Sequence, residues 1–109
     1  MSQAEGTSMR DKVFAYLLTV PYGKVVTYAQ IAARVGHPRA CRAVGNILHS
    51  NPDPDRYPCY KVVNAKGVLA PAFAFGGALE QKRRLEQEGI PVKQMTVDLR
   101  LYQYRDADK

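Results

Sequence analysis

Cysteine is scarce in this 109-residue sequence: Cys41 and Cys59 are the only two, and they form no CxxC pair. A disulfide framework is therefore excluded, and with two histidines, neither beside a second candidate ligand, no zinc site is expected. No cofactor is expected either. Long apolar runs are absent too, since no stretch approaches the ~20 apolar residues that a membrane span requires. The first eight residues, MSQAEGTS, lack the charged start and apolar run of a secretion signal. The chain is expected to stay in the cytoplasm, with both thiols reduced and no membrane partner. There are no internal repeats and no low-complexity segments.

The composition, 46% hydrophobic and 24% charged, is that of a globular protein, and the length suits one domain with one modest core. We read a single monomeric domain over 9–104, with flexible tails at 1–8 and 105–109. The 16 Lys+Arg against 10 Asp+Glu leave a net charge of +6. That balance fits a polyanionic partner such as nucleic acid, but many basic proteins bind nothing in particular, so the positions of the charges have to decide.

Ser8 with Asp11 resembles a helix start, and Met9, Val13, Tyr16, Leu17 and Val20 recur on one helical face up to Pro21. A turn at Pro21-Tyr22-Gly23 leads to the extended segment Lys24-Val25-Val26. Thr27 and Gln30 then form a capping box for a second helix that Gly36 stops. Gly36-His37-Pro38 turns the chain into a third helix over 39–49. The pair reads as a helix-turn-helix. The third helix presents Arg39, Ala40, Arg42, Ala43 and Gly45, small and basic residues suited to close backbone and minor-groove contact with low sequence specificity. Tight packing against another helix explains the same small residues.

The proline- and aspartate-rich 50–58 (SNPDPDRYP) reads as loop, and Cys59 as the start of a strand. Residues 60–63 and 68–69 flank Asn64-Ala65-Lys66-Gly67 as a small β hairpin. Residues 70–77 read as an apolar loop, 78–88 as a helix terminated by Gly89, and the Val97/Leu99/Leu101 alternation as a closing strand or wing. The expected fold is mainly α with a small β hairpin, a winged helix-turn-helix. Cys59, between a rigid loop and a strand, is placed to hold a thiol at a pocket edge, although a buried cysteine is commonly just a small hydrophobe. Cys41 is adequately explained by packing.

The run Tyr28 to Gly45 (YAQIAARVGHPRACRAVG), Asn51-Pro52, Pro58-Cys59-Tyr60-Lys61-Val62-Val63, Gly76-Gly77 and Glu88-Gly89 together resemble the carboxy-terminal domain of O6-alkylguanine-DNA alkyltransferases and the related alkyltransferase-like proteins. The resemblance covers about residues 9–92. It implies that Tyr28 rotates a DNA phosphate, that Arg42 fills the gap left by a flipped base, and that Asn51 shapes the turn holding the nucleophile. It further implies that Cys59 takes the alkyl group, that Glu88 completes a hydrogen-bonded chain, and that Pro58, Phe75 and Gly76 border the lesion pocket. The substrate implied is double-stranded DNA containing O6-alkylguanine, with direct stoichiometric transfer to Cys59.

Two departures bear on the chemistry. The family's Pro-Cys-His-Arg reads Pro58-Cys59-Tyr60-Lys61, so the histidine that relays the thiol proton is missing. Tyr60, with an ordinary pKa of ~10, is a poor base at neutral pH. Tyr60 could donate a hydrogen bond to a thiolate, and Lys61 could lower the thiol pKa, if either side chain points that way. Ala74-Phe75 stands where the family offers a tyrosine-serine pair. Slowed transfer is expected. The rivals are a lesion-binding protein that recruits an excision-repair partner, and a winged-helix regulator that reads an operator.

Overall fold

The computed structural model describes residues 8–70, 73 and 75–105. The expected tails (all but Ser8 and Arg105), Pro71 and Ala72 of the expected apolar loop, and Ala74 of the Ala74-Phe75 pair fall outside the described residues.

Helix α1 spans Met9–Leu17, where Ser8 caps the start by accepting from the Asp11 N–H at 3.1 Å. It is shorter than the periodicity predicted: Leu18 to Val20 continue as a turn with Thr19 N–H to Tyr16 O at 2.9 Å. Strand β1 is Val26–Thr27, and Thr27 then caps α2, Tyr28–Arg34, through the expected capping box with Gln30. Gly36, at φ +90°, ends α2: its N–H donates to Ala33 O and the His37 N–H to Ala32 O, the double closure of a Schellman motif. Helix α3, Cys41–His49, follows. It begins two residues later than predicted, so Arg39 belongs to the turn and Ala40 to the cap. Helices α1, α2 and α3 pack on one another around Val13, Leu17, Ile31 and Val44. Arg10 links α1 to the end of α3, with Nη1 to Ser50 Oγ at 2.6 Å.

The second half departs from expectation in its β structure. Strand β2, Val62–Val63, pairs in parallel with β1, in register Val26 with Val62 and Thr27 with Val63. The predicted strand pairing does not form: β2 pairs with β1 and Val68 bridges to Thr96, although the Asn64 N–H still donates to Val68 O at 3.1 Å. The Asn64–Gly67 turn is present, closed by Asn64 Oδ1 accepting from Lys66 and Val68 N–H. The tight reversal lies at Lys93 and Thr96, which exchange both backbone bonds at 3.0 Å across the left-handed Gln94 and Met95. The predicted closing strand is instead a short helix, α5, Leu99–Tyr102, because Asp98 caps it. Helix α4 is Gly77–Gln87. The mainly helical fold with its helix-turn-helix is as the sequence implied.

The core has two parts, one under α1–α3 and one around Val25, Val63, Leu69, Leu85 and Ile90, with the Tyr60 ring packed against both. The join is polar as well. Gln81 of α4 is fully buried, and its amide accepts from Ala70 N–H at 2.8 Å and donates to the carbonyls of Tyr60 at 2.9 Å and Val62 at 3.0 Å. Gln81→Leu keeps the volume but orphans three backbone groups, so it is expected to cost roughly 3 kcal/mol in urea unfolding. A loss below about 1 kcal/mol would show that these bonds do not hold the two halves together.

Candidate functional site

Cys59 does not begin a strand. Residues Cys59–Lys61 form a single 3-10 turn, entered through Pro58. Asn51 shapes the approach: its Nδ2 donates to Tyr57 O at 2.8 Å and its Oδ1 accepts from Asp53 N–H at 2.9 Å, so one buried side chain holds both ends of the loop. The Cys59 N–H donates to Tyr57 O at 2.7 Å, which fixes the start of the turn. The thiol itself is buried, only 6% exposed.

Burial pushes the Cys59 pKa up; a hydrogen bond with Asn51, a backbone bond and the charge of Arg84 oppose the rise without cancelling it. The proton therefore stays on sulfur at neutral pH. Tyr28, at the start of α2, lies within electrostatic reach of this thiol, and its own pKa is raised by burial first and by Cys59 second. Its phenol is kept as a neutral donor. Pro58, next to Cys59 in sequence, and Phe75, packed on the core cluster that contains Cys59, are half-buried; Phe75 lies edge-on to Phe73 at 5.7 Å, while Gly76 is exposed at φ +122°.

Glu88 is positioned by the end of α4. Gly89, at φ +78°, gives a second Schellman closure, Gly89 N–H to Glu86 O and Ile90 N–H to Leu85 O, which leaves Glu88 as the cap residue aimed at the turn. Three groups converge on its carboxylate. The Lys61 ammonium meets Oε1 at 3.0 Å, the Gly23 N–H donates to Oε1 at 2.9 Å, and the Tyr60 hydroxyl donates to Oε2 in a very short hydrogen bond. Lys61 is buried and also donates to Pro21 O at 3.0 Å and Val20 O at 3.3 Å.

Both expectations for residues flanking the thiol need correction. Tyr60 gives its hydroxyl hydrogen to Glu88 and not to a thiolate at Cys59; burial, then the bond and charge of Glu88, raise its pKa well above the ordinary phenol value. Lys61 directs its charge to Glu88 and two carbonyls, and so does not activate the thiol. The cation that acts on Cys59 is Arg84 of α4, which the sequence reading missed. Its spacing from Gln81 and Glu88, on the α4 face that meets the 3-10 turn, was the available signal.

The other predicted residues lie on the helix-turn-helix. Arg39, Arg42 and Ala43 are exposed, Ala40 and Gly45 half-buried, and a Cβ at Gly45 would sit 4.0 Å from the Tyr28 ring. Asn46 and His49 extend the exposed face of α3 beside Arg42. Among the described residues, no group of three or more His, Cys, Asp or Glu side chains could hold a metal ion. No helix there is long and apolar enough to cross a membrane.

The raised thiol pKa has a directional consequence. Only the thiolate attacks, and burial disfavours the thiolate, so the reactivity of Cys59 toward iodoacetamide should keep rising through and beyond the ordinary cysteine midpoint of ~8.5. Peptide-resolved mass spectrometry across pH 6–10 measures this separately from Cys41. A Cys59 midpoint below ~7 would contradict the described environment.

Comparison with known proteins agrees with this geometry. The family model of the 6-O-methylguanine DNA methyltransferase DNA-binding domain matches residues 8–90. A methylated-DNA–protein-cysteine methyltransferase of Rattus norvegicus is 38% identical over 85 residues, 78% of this chain but 40% of the rat protein. Among solved structures, S. pombe Atl1 in complex with damaged DNA containing O6-carboxymethylguanine superimposes with a TM-score of 0.82 at 31% identity, covering 96% of this chain and 99% of that one. Mycobacterium tuberculosis OGT in complex with DNA gives a TM-score of 0.70 at 37% identity, covering 77% of this chain and 50% of the other. The chain thus spans less than half the length of the rat methyltransferase but nearly the whole of Atl1. It belongs to the family of 6-O-methylguanine DNA methyltransferase DNA-binding domains, the DNA-repair proteins of alkyltransferase and alkyltransferase-like type.

Proposed function

We propose that this chain is a receptor for O6-alkylguanine in duplex DNA that holds the extruded base beside Cys59 and transfers the alkyl group to that thiol only slowly. The observation that carries the reading is the state of the proton path. Cys59 is buried with a raised pKa, and the Glu88 carboxylate that a relay would use is occupied by Lys61, Tyr60 and Gly23. A general base contributes typically ~10²–10⁴-fold, and among the described residues none is paired with the sulfur.

Recognition needs no base. The α2–α3 surface offers small residues for close approach along the minor groove, Arg39 for a phosphate, and Arg42 to replace the extruded base in the stack. Tyr28 is a neutral donor beside the thiol. Where transfer occurs, Sγ attacks the alkyl carbon, the S–C bond forms as the C–O6 bond breaks, and the departing guanine takes up the proton that sulfur gives to water. No cofactor takes part, and each molecule acts once as a monomer.

A second reading shares the same observation. A protein that binds the lesion and leaves it chemically intact serves to mark it for an excision-repair partner. The chain's likeness to Atl1 along the whole of that protein favours this as the outcome when transfer is too slow to matter.

Lesion recognition is tested by equilibrium titration of matched O6-methylguanine and undamaged duplexes. The lesion duplex should bind more tightly, and Arg42→Ala should reduce that preference, because flipping costs a few kcal/mol that the inserted side chain offsets. Equal affinity for both duplexes would sink the reading. For the chemistry, Tyr60→His is expected to raise single-turnover methyl transfer by about 10²-fold, with Glu88→Gln cancelling the gain. An unchanged rate in Tyr60→His would show that the proton path does not limit transfer.

A further inference from the structure

A side-chain amide can accept twice and donate twice, and the Gln30 amide of α2 uses all four positions. Its Oε1 accepts from the Thr27 N–H at 3.2 Å, the capping-box bond, and from Gln103 Nε2 at 2.9 Å. Its Nε2 donates to the Tyr16 hydroxyl of α1 at 3.2 Å and to Tyr104 O at 2.5 Å. A capping box needs only the first of these bonds from that amide. The other three tie the start of α2 to α1 and to the segment that follows α5. That segment is itself pinned. Val25, just before β1, bridges in parallel to Gln103: its N–H donates to Tyr102 O at 2.8 Å, and its carbonyl accepts from the Tyr104 N–H at 2.7 Å. Lys24 Nζ reaches Leu101 O at 3.1 Å, and Tyr104 packs against the core under α1–α3. Residues 101–104 are thus a strap fastened to the entry of α2, and they lie beyond residue 90, where the family match ends.

The strap matters because of the residue with which α2 begins. Helix α2 has seven residues, well under the ~12–15 at which an isolated helix is even marginal, so outside bonds have to hold its first turn. Tyr28 is the first residue of that turn, and its ring approaches α3, where a Cβ added at Gly45 would lie 4.0 Å from it. The residue before it, buried Thr27, is bonded to Gln30 through both its N–H and its hydroxyl. Whatever anchors Gln30 therefore sets where Tyr28 stands.

We propose that Gln30 and the strap residue Gln103 are positioning residues for lesion recognition, which hold Tyr28 in the place from which it acts on the flipped nucleotide. The inference rests on the reading above, in which Tyr28 is the donor beside the pocket for the extruded base and Arg42 fills the stack. Tyr28 then contributes only once a base has left the stack. Loosening it lowers the preference for lesion over undamaged duplex, while binding to undamaged duplex, carried by α3 and its phosphate contacts, is kept. A strap needed only for folding would weaken both complexes alike.

The test titrates the full chain and its variants against matched O6-methylguanine and undamaged duplexes, with thermal unfolding of each variant alongside. Gln103→Ala removes the tie from the strap side and leaves the capping box in place. Gln30→Glu keeps an oxygen for the Thr27 N–H but turns an acceptor toward Tyr104 O. Each is expected to lower the lesion preference roughly fivefold, within the range of one lost hydrogen bond. In a Tyr28→Phe background, which keeps part of the preference through Arg42, Gln103→Ala should cost less than about twofold, because the two residues act as one. Should Gln30→Glu fold poorly, Gln103→Ala with and without Tyr28→Phe still decides. An unchanged preference in Gln103→Ala, an equal loss on both duplexes, or full additivity with Tyr28→Phe overturns the positioning role alone. An unaltered protein that binds both duplexes equally overturns the lesion reading itself, and the proposal with it.

Discussion

The carboxylate of Glu88 is the junction on which the site depends. It collects the Lys61 ammonium, the Tyr60 hydroxyl and the Gly23 N–H, and so joins the turn after α1, the 3-10 turn that carries Cys59, and the end of α4. Lys61 is the buried partner, and its two bonds to the Val20 and Pro21 carbonyls add a second tie to the same turn. Breaking such a pair from one side leaves an uncompensated buried charge, a cost of about 3–5 kcal/mol. The pair therefore fixes geometry more than it adds net stability, since replacing both partners by apolar groups of similar shape is often neutral.

The same junction determines what the thiol can do. In the family pattern a histidine links cysteine to glutamate; here a tyrosine occupies that position and hands its proton to the glutamate. The chain of hydrogen bonds thus ends at Tyr60 and does not continue to sulfur. Cys59 keeps a hydrogen bond with Asn51 and the distant charge of Arg84, neither of which can accept its proton. In the proposed reading, the precision of the site and the slowness of transfer have one cause. The network that ties the three segments together is the one that occupies Glu88.

Much of the first half of the fold was legible because its signals are local. Ser8, the Thr27–Gln30 capping box and Gly36 each act within four residues, and the structure places all of them as helix ends. The second half was less legible because its partners are distant. Nothing in residues 59–63 says that Val62–Val63 would pair with Val26–Thr27, or that Val68 would bridge to Thr96. Asp98 as a cap for α5 was a missed local signal, overridden in reading by the apolar alternation around it. At the site, the resemblance located Asn51, Cys59 and Glu88, but the direction of Lys61 and Tyr60 is a tertiary property. Arg84 and Gln81 escaped notice because a polar residue on a charged helix reads as solvated until the packing face is known.

The most direct test of a pocket built to hold and slow to react is to mix the protein with excess O6-methylguanine duplex at pH 7 and follow complex formation by fluorescence and the intact mass of the protein in the same samples. The lesion complex is expected to form at least ~10²-fold faster than Cys59 gains one methyl group, so that early samples contain full complex and unmodified protein. A methyl mass that appears as fast as the complex forms would contradict this, and would mean that Cys59 has a proton acceptor despite the occupation of Glu88.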